Sequence, residues 1–196
     1  VLIGFFGRAN LTYNDKYLFT ASFRRDASSR VAKDNRWHNY PALAFAWKLK
    51  NDFFKDSKTV SDLKLRLGYG ITGQQSLPSA YNNIYLQQYS VGTINSQYTF
   101  GGTAVPIAIS KPYNDIITWE QTTTYNAGLD YGILNNRISG AIDVFYKKTT
   151  DLLATVNFPP GQFLTNAFVS NAATMTNKGL EVSLLAKIIT SDNMNW

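Results

Sequence analysis

Leu63-Lys64-Leu65-Arg66-Leu67-Gly68-Tyr69-Gly70-Ile71 decides how this chain is read. Its odd positions are all apolar, and its even positions are basic or glycine. Successive side chains of a strand point to opposite faces, so the pattern is a β-strand with one apolar face. The same alternation recurs downstream. Tyr125, Ala127, Leu129, Tyr131 and Ile133 share one parity, with Thr124, Asn126, Gly128 and Asp130 on the other. Ile138, Gly140, Ile142, Val144 and Tyr146 alternate with Ser139, Ala141, Asp143, Phe145 and Lys147. Leu180, Val182, Leu184, Ala186 and Ile188 interleave with Glu181, Ser183, Leu185 and Lys187. Seven such stretches can be counted in the 196 residues.

The connectors between these stretches alternate in length. A tight turn, Asn14-Asp15-Lys16, is followed by a polar loop from Ala27 to Arg36. A moderate connector, Asn51 to Asp62, precedes a long one from Gly73 to about Thr118. Leu134-Asn135-Asn136 is again tight, the segment from Lys148 to Lys178 again long, and Ser191 to Asn195 turns into the start of an eighth strand. Successive hairpin connectors lie at opposite ends of a sheet, so the long ones share one end. Transmembrane β-barrels have this asymmetry, with short periplasmic turns and long outer loops. A strand of about 11 residues at roughly 3.4 Å each, tilted near 45°, rises about 26 Å, which matches the apolar band of such a barrel. The expected fold is all-β: an antiparallel, up-and-down transmembrane barrel segment.

Composition supports this and excludes other classes. Mean hydropathy is −0.20, which fits strands whose second face lines a polar lumen. No apolar run approaches the roughly 18 residues of a membrane helix. The 19 basic and 13 acidic residues are dispersed, so the charge of +6 marks solvated faces and loop rims and not a nucleic-acid surface. There is no cysteine, and the single histidine, His38, cannot make a conventional zinc cluster. The first residues lack a signal peptide's basic region and cleavage site, and the chain is expected to be a fragment of a longer one.

Aromatics fall near the strand ends. Tyr13, Tyr17, Phe19, Trp47, Phe53, Phe54 and Tyr131 are expected at one membrane–water interface, and Trp37, Tyr40, Trp119 and Tyr146 at the other. On the lumen face, Glu120, Asp130, Asp143 and Glu181 are expected to pair with Arg8, Arg24, Lys64, Arg66 and Lys187. Ala42, Ala44 and Ala46 would sit beneath something packed inside, and Pro41, lacking an N–H, predicts a bulge or strand end.

Several ordered motifs also resemble a known family, the SusC/RagA-type TonB-dependent outer-membrane transporters. Trp119-Glu120-Gln121-Thr122-Thr123, Tyr125, Gly128-Leu129-Asp130 and Asn135-Asn136-Arg137 are similar to its "WETT…YNxGLDxGxxNNR". Gly140, Asp143 and Tyr146 through Leu153 resemble "GxxDxYxKxTxDLL", and Asn177 to Glu181 resembles "NKGLE". Phe23 to Arg30, Asn35-Arg36-Trp37 and Leu65 to Gln75 read like "FRxDGSSRF", "NRW" and "LRxSYGxTGNQ". Ala27 and Gln74 depart from the usual Gly and Asn, and Asn171-Ala172-Ala173 from the frequent "NxG", which leaves the local turn shape open there.

The resemblance implies a plugged barrel of about 22 strands. Residues 1–196 would be part of its C-terminal half, with the plug domain and remaining strands elsewhere. It further implies location in the bacterial outer membrane, a SusD-like surface lipoprotein as lid, TonB–ExbB–ExbD acting through the plug, and import of glycan or peptide oligomers. No cofactor, metal or catalytic residue is implied. The long connector from Gly73 to Thr118 is the expected place of ligand contact, through Tyr81, Tyr85, Tyr89, Tyr98 and Phe100 among neutral amides and hydroxyls. The same rings would otherwise pack the loop onto its neighbours. Two other readings are a soluble carbohydrate-binding β-sandwich or adhesin, and a barrel hydrolase built on His38. No G-x-S-x-G elbow accompanies that histidine.

Overall fold

The computed structural model describes residues 1–74, 83–92, 97–159, 167–188, 190–191 and 194–195. Its frame is one antiparallel sheet of seven long strands joined in chain order: β1 (Leu2–Tyr13), β2 (Tyr17–Ser28), β3 (Trp37–Lys48), β4 (Val60–Gln74), β9 (Glu120–Ile133), β10 (Ile138–Asn157) and β11 (Ala167–Ala186). Among the described residues between β4 and β9 are four short strands, β5 (Tyr89–Val91), β6 (Gln97–Phe100), β7 (Thr103–Pro106) and β8 (Ala108–Ser110). A small ladder of β12 (Thr190–Ser191) with β13 (Met194–Asn195) stands where the eighth strand was expected to begin. No helix among the described residues is long and apolar enough to cross a membrane.

Register follows parity. Lys64 pairs with Asp130 and Arg66 with Gly128, while Leu65 pairs with Leu129 and Leu67 with Ala127. Across the next ladder Leu129 meets Ile142, which meets Val182. A slip of one residue would turn every polar side chain outward, and this is what holds the register. The outward face stays open to the surroundings: Phe5, Leu11, Phe19, Leu43, Leu67, Val144, Leu180, Val182 and Leu184 are all exposed. An apolar face this extensive, with no protein layer on it, is what lipid covers.

Two aromatic rows border that face. Tyr69, Tyr125 and Tyr146 occupy one register row, with ring centroids 5.2 and 6.4 Å apart. Toward the other end Tyr17 stacks on Tyr13 at 6.4 Å, on Phe45 at 6.5 Å and on Trp47 at 5.8 Å. The outer row differs from expectation at two places. Tyr40 has the parity of His38 and Ala42, which is the inner face, and Trp119 lies in the connector before β9 begins. Both are buried, at 7% and 2% exposure, in a cluster with Val31 and Ile117.

The tight turns form as read. Asn14 and Asp15 take φ of 50° and 52°, and Leu134, Asn135 and Asn136 take 52° to 59°. Asn and Asp tolerate this left-handed region better than other side chains. The moderate connector contains a single helical turn, α1 (Lys50–Phe53).

The long connectors correct the sequence reading. Most of Lys148 to Lys178 is not loop: β10 and β11 stay paired out to Asn157 and Ala167, past a register shift between Thr149 and Leu153. The irregularity is centred on Asp151, whose φ is 59°, and the ladder resumes from Leu153 onward. The described part of Gly73 to Thr118 carries strands too. β5 pairs with β8 and β6 with β7, one hairpin nested on the other, closed by Gly101 and Gly102 at φ of 60° and 82°. Pro41 causes no bulge: β2 and β3 keep continuous register through Phe23 and Pro41. What stops beside it is the ladder to β4, whose last pair is Ala42 with Gly70. Ala27, Gln74, Asn171, Ala172 and Ala173 lie within strands at ordinary φ, so glycine is not required there.

Candidate functional site

The inner face carries a compact ionic network. Asp130 accepts from Lys64 Nζ at 2.7 Å and from Arg66 Nη2 at 2.7 Å, and the Arg66 guanidinium spans to Asp143 at 2.9 Å. Gly128 lies beneath it, where a Cβ would collide with the Asp143 carboxylate and the guanidinium. The expected pairing holds for these four side chains. It fails for Glu120, which instead accepts the Leu153 N–H at 3.0 Å, and for Arg24, whose partner is its strand neighbour Asp26. Among the described residues Arg8, Glu181 and Lys187 form no ion pair. Glu181 lies in register opposite Asp143, a like charge that explains why Asp143 turns toward Arg66.

Above Ala42, β3 and β4 part, and the gap is filled from the connectors. Val31, Tyr40, Ile117 and Trp119 pack there with Ile71, Ile84, Tyr85 and Leu153. Asparagine side chains then fasten the connectors to the wall and to each other. Asn171 accepts the Thr118 N–H at 2.9 Å and donates to the Thr118 carbonyl at 3.0 Å and to the Asp151 carbonyl at 2.6 Å. Asn114 donates to the Val169 carbonyl at 3.1 Å, and Asn35 to the Ile116 carbonyl at 3.0 Å. Sequence reading missed this set, because asparagines in a strand and a loop carry no local sign of each other.

Four of the five aromatic candidates fall among the described residues. Tyr81 lies outside the described residues. Tyr85 is used in packing: it joins the rim cluster and donates its hydroxyl to the Ser29 carbonyl at 3.1 Å. Tyr89, Tyr98 and Phe100 are exposed on the nested hairpins, the last two with ring centroids 6.5 Å apart. His38 is bound to the Thr118 hydroxyl at 3.0 Å through Nε2 and stacks 5.6 Å from Trp119. Its Nδ1 is buried without a partner among the described residues, so none of them orients the ring as a catalytic base. No group of side chains among the described residues is suited to hold a metal.

At the turn end Asp52 on α1 receives the Lys16 ammonium, the Trp47 indole N–H at 2.8 Å and the Tyr17 hydroxyl at 3.4 Å. The hydrogen bond from Lys16, then that from Trp47, holds the Asp52 carboxyl below its ordinary range; the same bond raises Lys16.

Long meandering strands, a bare apolar outer face, a polar inner face with an internal ion network, and connectors folded together at one end define a section of a transmembrane β-barrel wall. The family model described as "TonB dependent receptor-like, beta-barrel" matches residues 2–196, and the chain belongs to that family. It is 45% identical over its full length to the TonB-dependent receptor SusC of Bacteroides thetaiotaomicron, covering 19% of that protein. It is 35% identical to TonB-dependent receptor P26 of Formosa agariphila, again over all of this chain and 19% of the relative. Among solved structures it superimposes on the RagAB peptide importer in the "open-open" state with a TM-score of 0.84 and 28% identity, covering 99% of this chain and 20% of that one. The chain thus spans about a fifth of the length of the relatives it matches.

Proposed function

We propose that this chain is wall and outer loops of an outer-membrane, TonB-energised importer of glycan or peptide oligomers, working with a SusD-like surface lipoprotein. The observation that carries it is the division of the seven-stranded sheet into a bare apolar outer face and an inner face that carries the Lys64, Arg66, Asp130 and Asp143 network, in a chain related along its whole length to TonB-dependent receptors. In this reading residues 1–196 supply part of a barrel, and the plug and remaining strands belong to the rest of the protein. TonB–ExbB–ExbD acts through that plug, so the wall performs no covalent step. It excludes lipid, holds the lumen's shape, and carries the vestibule in which Tyr81, Tyr89, Tyr98 and Phe100 meet the ligand or lid. Tyr85 serves as an anchor of the same loop.

Deletion of the full-length gene should abolish growth on the imported oligomer while leaving growth on its monomers intact. Removal of TonB should give the same phenotype. Uptake of the oligomer that persists without TonB would refute the energised-import reading.

A further inference from the structure

Three charges interrupt the apolar outer face. Among the strand residues that share the parity of the exposed apolar set, up to the irregularity at Asp151, only Arg25, Lys148 and Lys178 are charged. All three are basic and exposed, and none forms an ion pair among the described residues. Counted from the turn end of its strand, Arg25 stands eight residues beyond Tyr17, Lys178 eight beyond Ala186 and Lys148 ten beyond Ile138. At roughly 3.4 Å per residue and a tilt near 45°, that is a height of about 19 to 24 Å. An apolar band of about 25 Å gives way to headgroups at that level. The outer face of these strands thus carries cations at its loop end and no charge at its turn end.

Each cation stands beside an aromatic ring of the border. The Arg25 guanidinium lies 5.0 Å from the centroid of the Trp37 ring, which stacks on Phe5 at 6.2 Å. Lys178 is in register opposite Tyr146 and Lys148 opposite Thr176, so the two lysines are diagonal neighbours on one face. Such positions lie about 7–8 Å apart, and two long side chains can close on one anion across that gap. Below Lys178 the same face continues as exposed Leu180, Val182 and Leu184. Lysine stems lie along such a surface while their ammonium groups rise to the headgroups. There a phosphate accepts several charge-assisted hydrogen bonds at once. Long connectors mark this end as the external one. In a bacterial outer membrane the external leaflet is built on lipid A, whose sugar backbone carries phosphate directly above its acyl chains. We infer that Lys148 and Lys178 together, and Arg25 on Trp37 separately, hold lipid A phosphates of the external leaflet. This rests on the outer-membrane placement in the import reading and adds a lipid partner on the face away from the lumen.

The test uses the full-length transporter with its lid protein, purified in detergent and stripped of lipid. Lipid A, the same lipid A after dephosphorylation, and inorganic phosphate are the probes, and native mass spectrometry counts the lipid retained. Wild type should retain lipid A about tenfold more than the dephosphorylated form, and equimolar inorganic phosphate should not displace it. The double variant Lys148→Gln, Lys178→Gln should lose most of that preference, and adding Arg25→Gln should remove the remainder. Both variants should keep the wild-type heat-induced mobility shift that reports a folded barrel. Equal retention of the two lipids by wild type overturns the inference, and so does an unchanged preference in the folded variants. Displacement by inorganic phosphate would assign the cations to a free anion and overturn it as well. TonB-dependent uptake should be the same in wild type and variants, because none of the three side chains faces the lumen. Uptake that persists without any lipid preference removes this inference and leaves the import reading standing. A lipid preference in a protein with no TonB-dependent uptake does the reverse.

Discussion

The two ends of this barrel section are built by different means. At the turn end the chain reverses over three residues, with Asn14, Asp15, Asn135 and Asn136 taking the left-handed backbone themselves. At the loop end the reversals are long, and their shape comes from side chains reaching across tens of residues. His38 meets Thr118, Asn171 meets Thr118 and Asp151, and Tyr85 meets Ser29. The two tight turns are encoded locally and the loop end by long-range packing, with the Asp52 latch to Lys16 and Trp47 an addition to the turn end. It follows that a single substitution should cost more at the loop end, where one side chain serves several segments.

The severest break in that contrast is Trp119→Ala. The ring is 2% exposed, stacks near His38 and Tyr40, and closes the gap where β3 leaves β4. Removing it should destabilise the folded barrel by about 3–5 kcal/mol, the range for large aromatic truncations in a core. In the full-length protein this would appear as a lower temperature for the heat-induced mobility shift. A loss no larger than that of an exposed aromatic such as Phe100→Ala would show that the rim cluster is not a core.

Asn171→Ala follows. It deletes three hydrogen bonds at once and strands the Thr118 N–H, for an expected cost of about 2–3 kcal/mol. Hydrogen exchange should quicken in residues 114–119 and stay unchanged in the turns at the opposite end. Asn171→Asp keeps the acceptor for Thr118 but neither donor, and should fall between the two.

This contrast also explains what could be read in advance. Alternation in Leu63 to Ile71 and in Ile138 to Tyr146 fixed strand identity, face and register, because one slipped residue exposes the whole polar set to lipid. The tight turns were legible because Asn-Asp and Asn-Asn carry their own backbone preference. The long connectors were not. Lys148 to Lys178 looked like loop because beyond Asp151 apolar residues such as Leu152 and Leu153 stand side by side among polar ones, so the alternation that marks a membrane strand disappears while the ladder continues. Tyr40 and Trp119 were misplaced for a related reason: aromatic content marks an interface only once the parity of the residue is known. The Arg66 network was anticipated because all its members belong to regular strands, whereas the Asn171 clamp joins a strand to a connector.

At the turn end, Asn135→Val tests local encoding directly. A β-branched residue at φ of 56° bears the left-handed penalty of about 1–2 kcal/mol. Asn135→Gly should be neutral or nearly so, since glycine takes that conformation freely. Equal losses from Val and Gly would mean that the Asn135 side chain, and not its backbone, holds the turn.

The smallest effect is expected at Asp52, and its sign with pH is fixed by the direction of the shifts. Asp52 is held below its ordinary range by Lys16 and Trp47, so its contribution is complete above the unfolded carboxylate range. It is lost as pH falls through the lowered folded value. Lys16 is raised, so its share is complete below the ordinary lysine range and lost as pH climbs through the raised value. Both contributions are whole at neutral pH. Asp52→Asn should therefore lower stability slightly at neutral pH, and the gap to wild type should close on acidification. Because the bond from the Trp47 indole can persist to an amide oxygen, Asp52→Ala should lose more than Asp52→Asn. The heat-induced mobility shift of both variants, compared with wild type at neutral and at strongly acid pH, would follow the latch, and no gap to wild type at either pH would show that the turn end is held by its backbone alone.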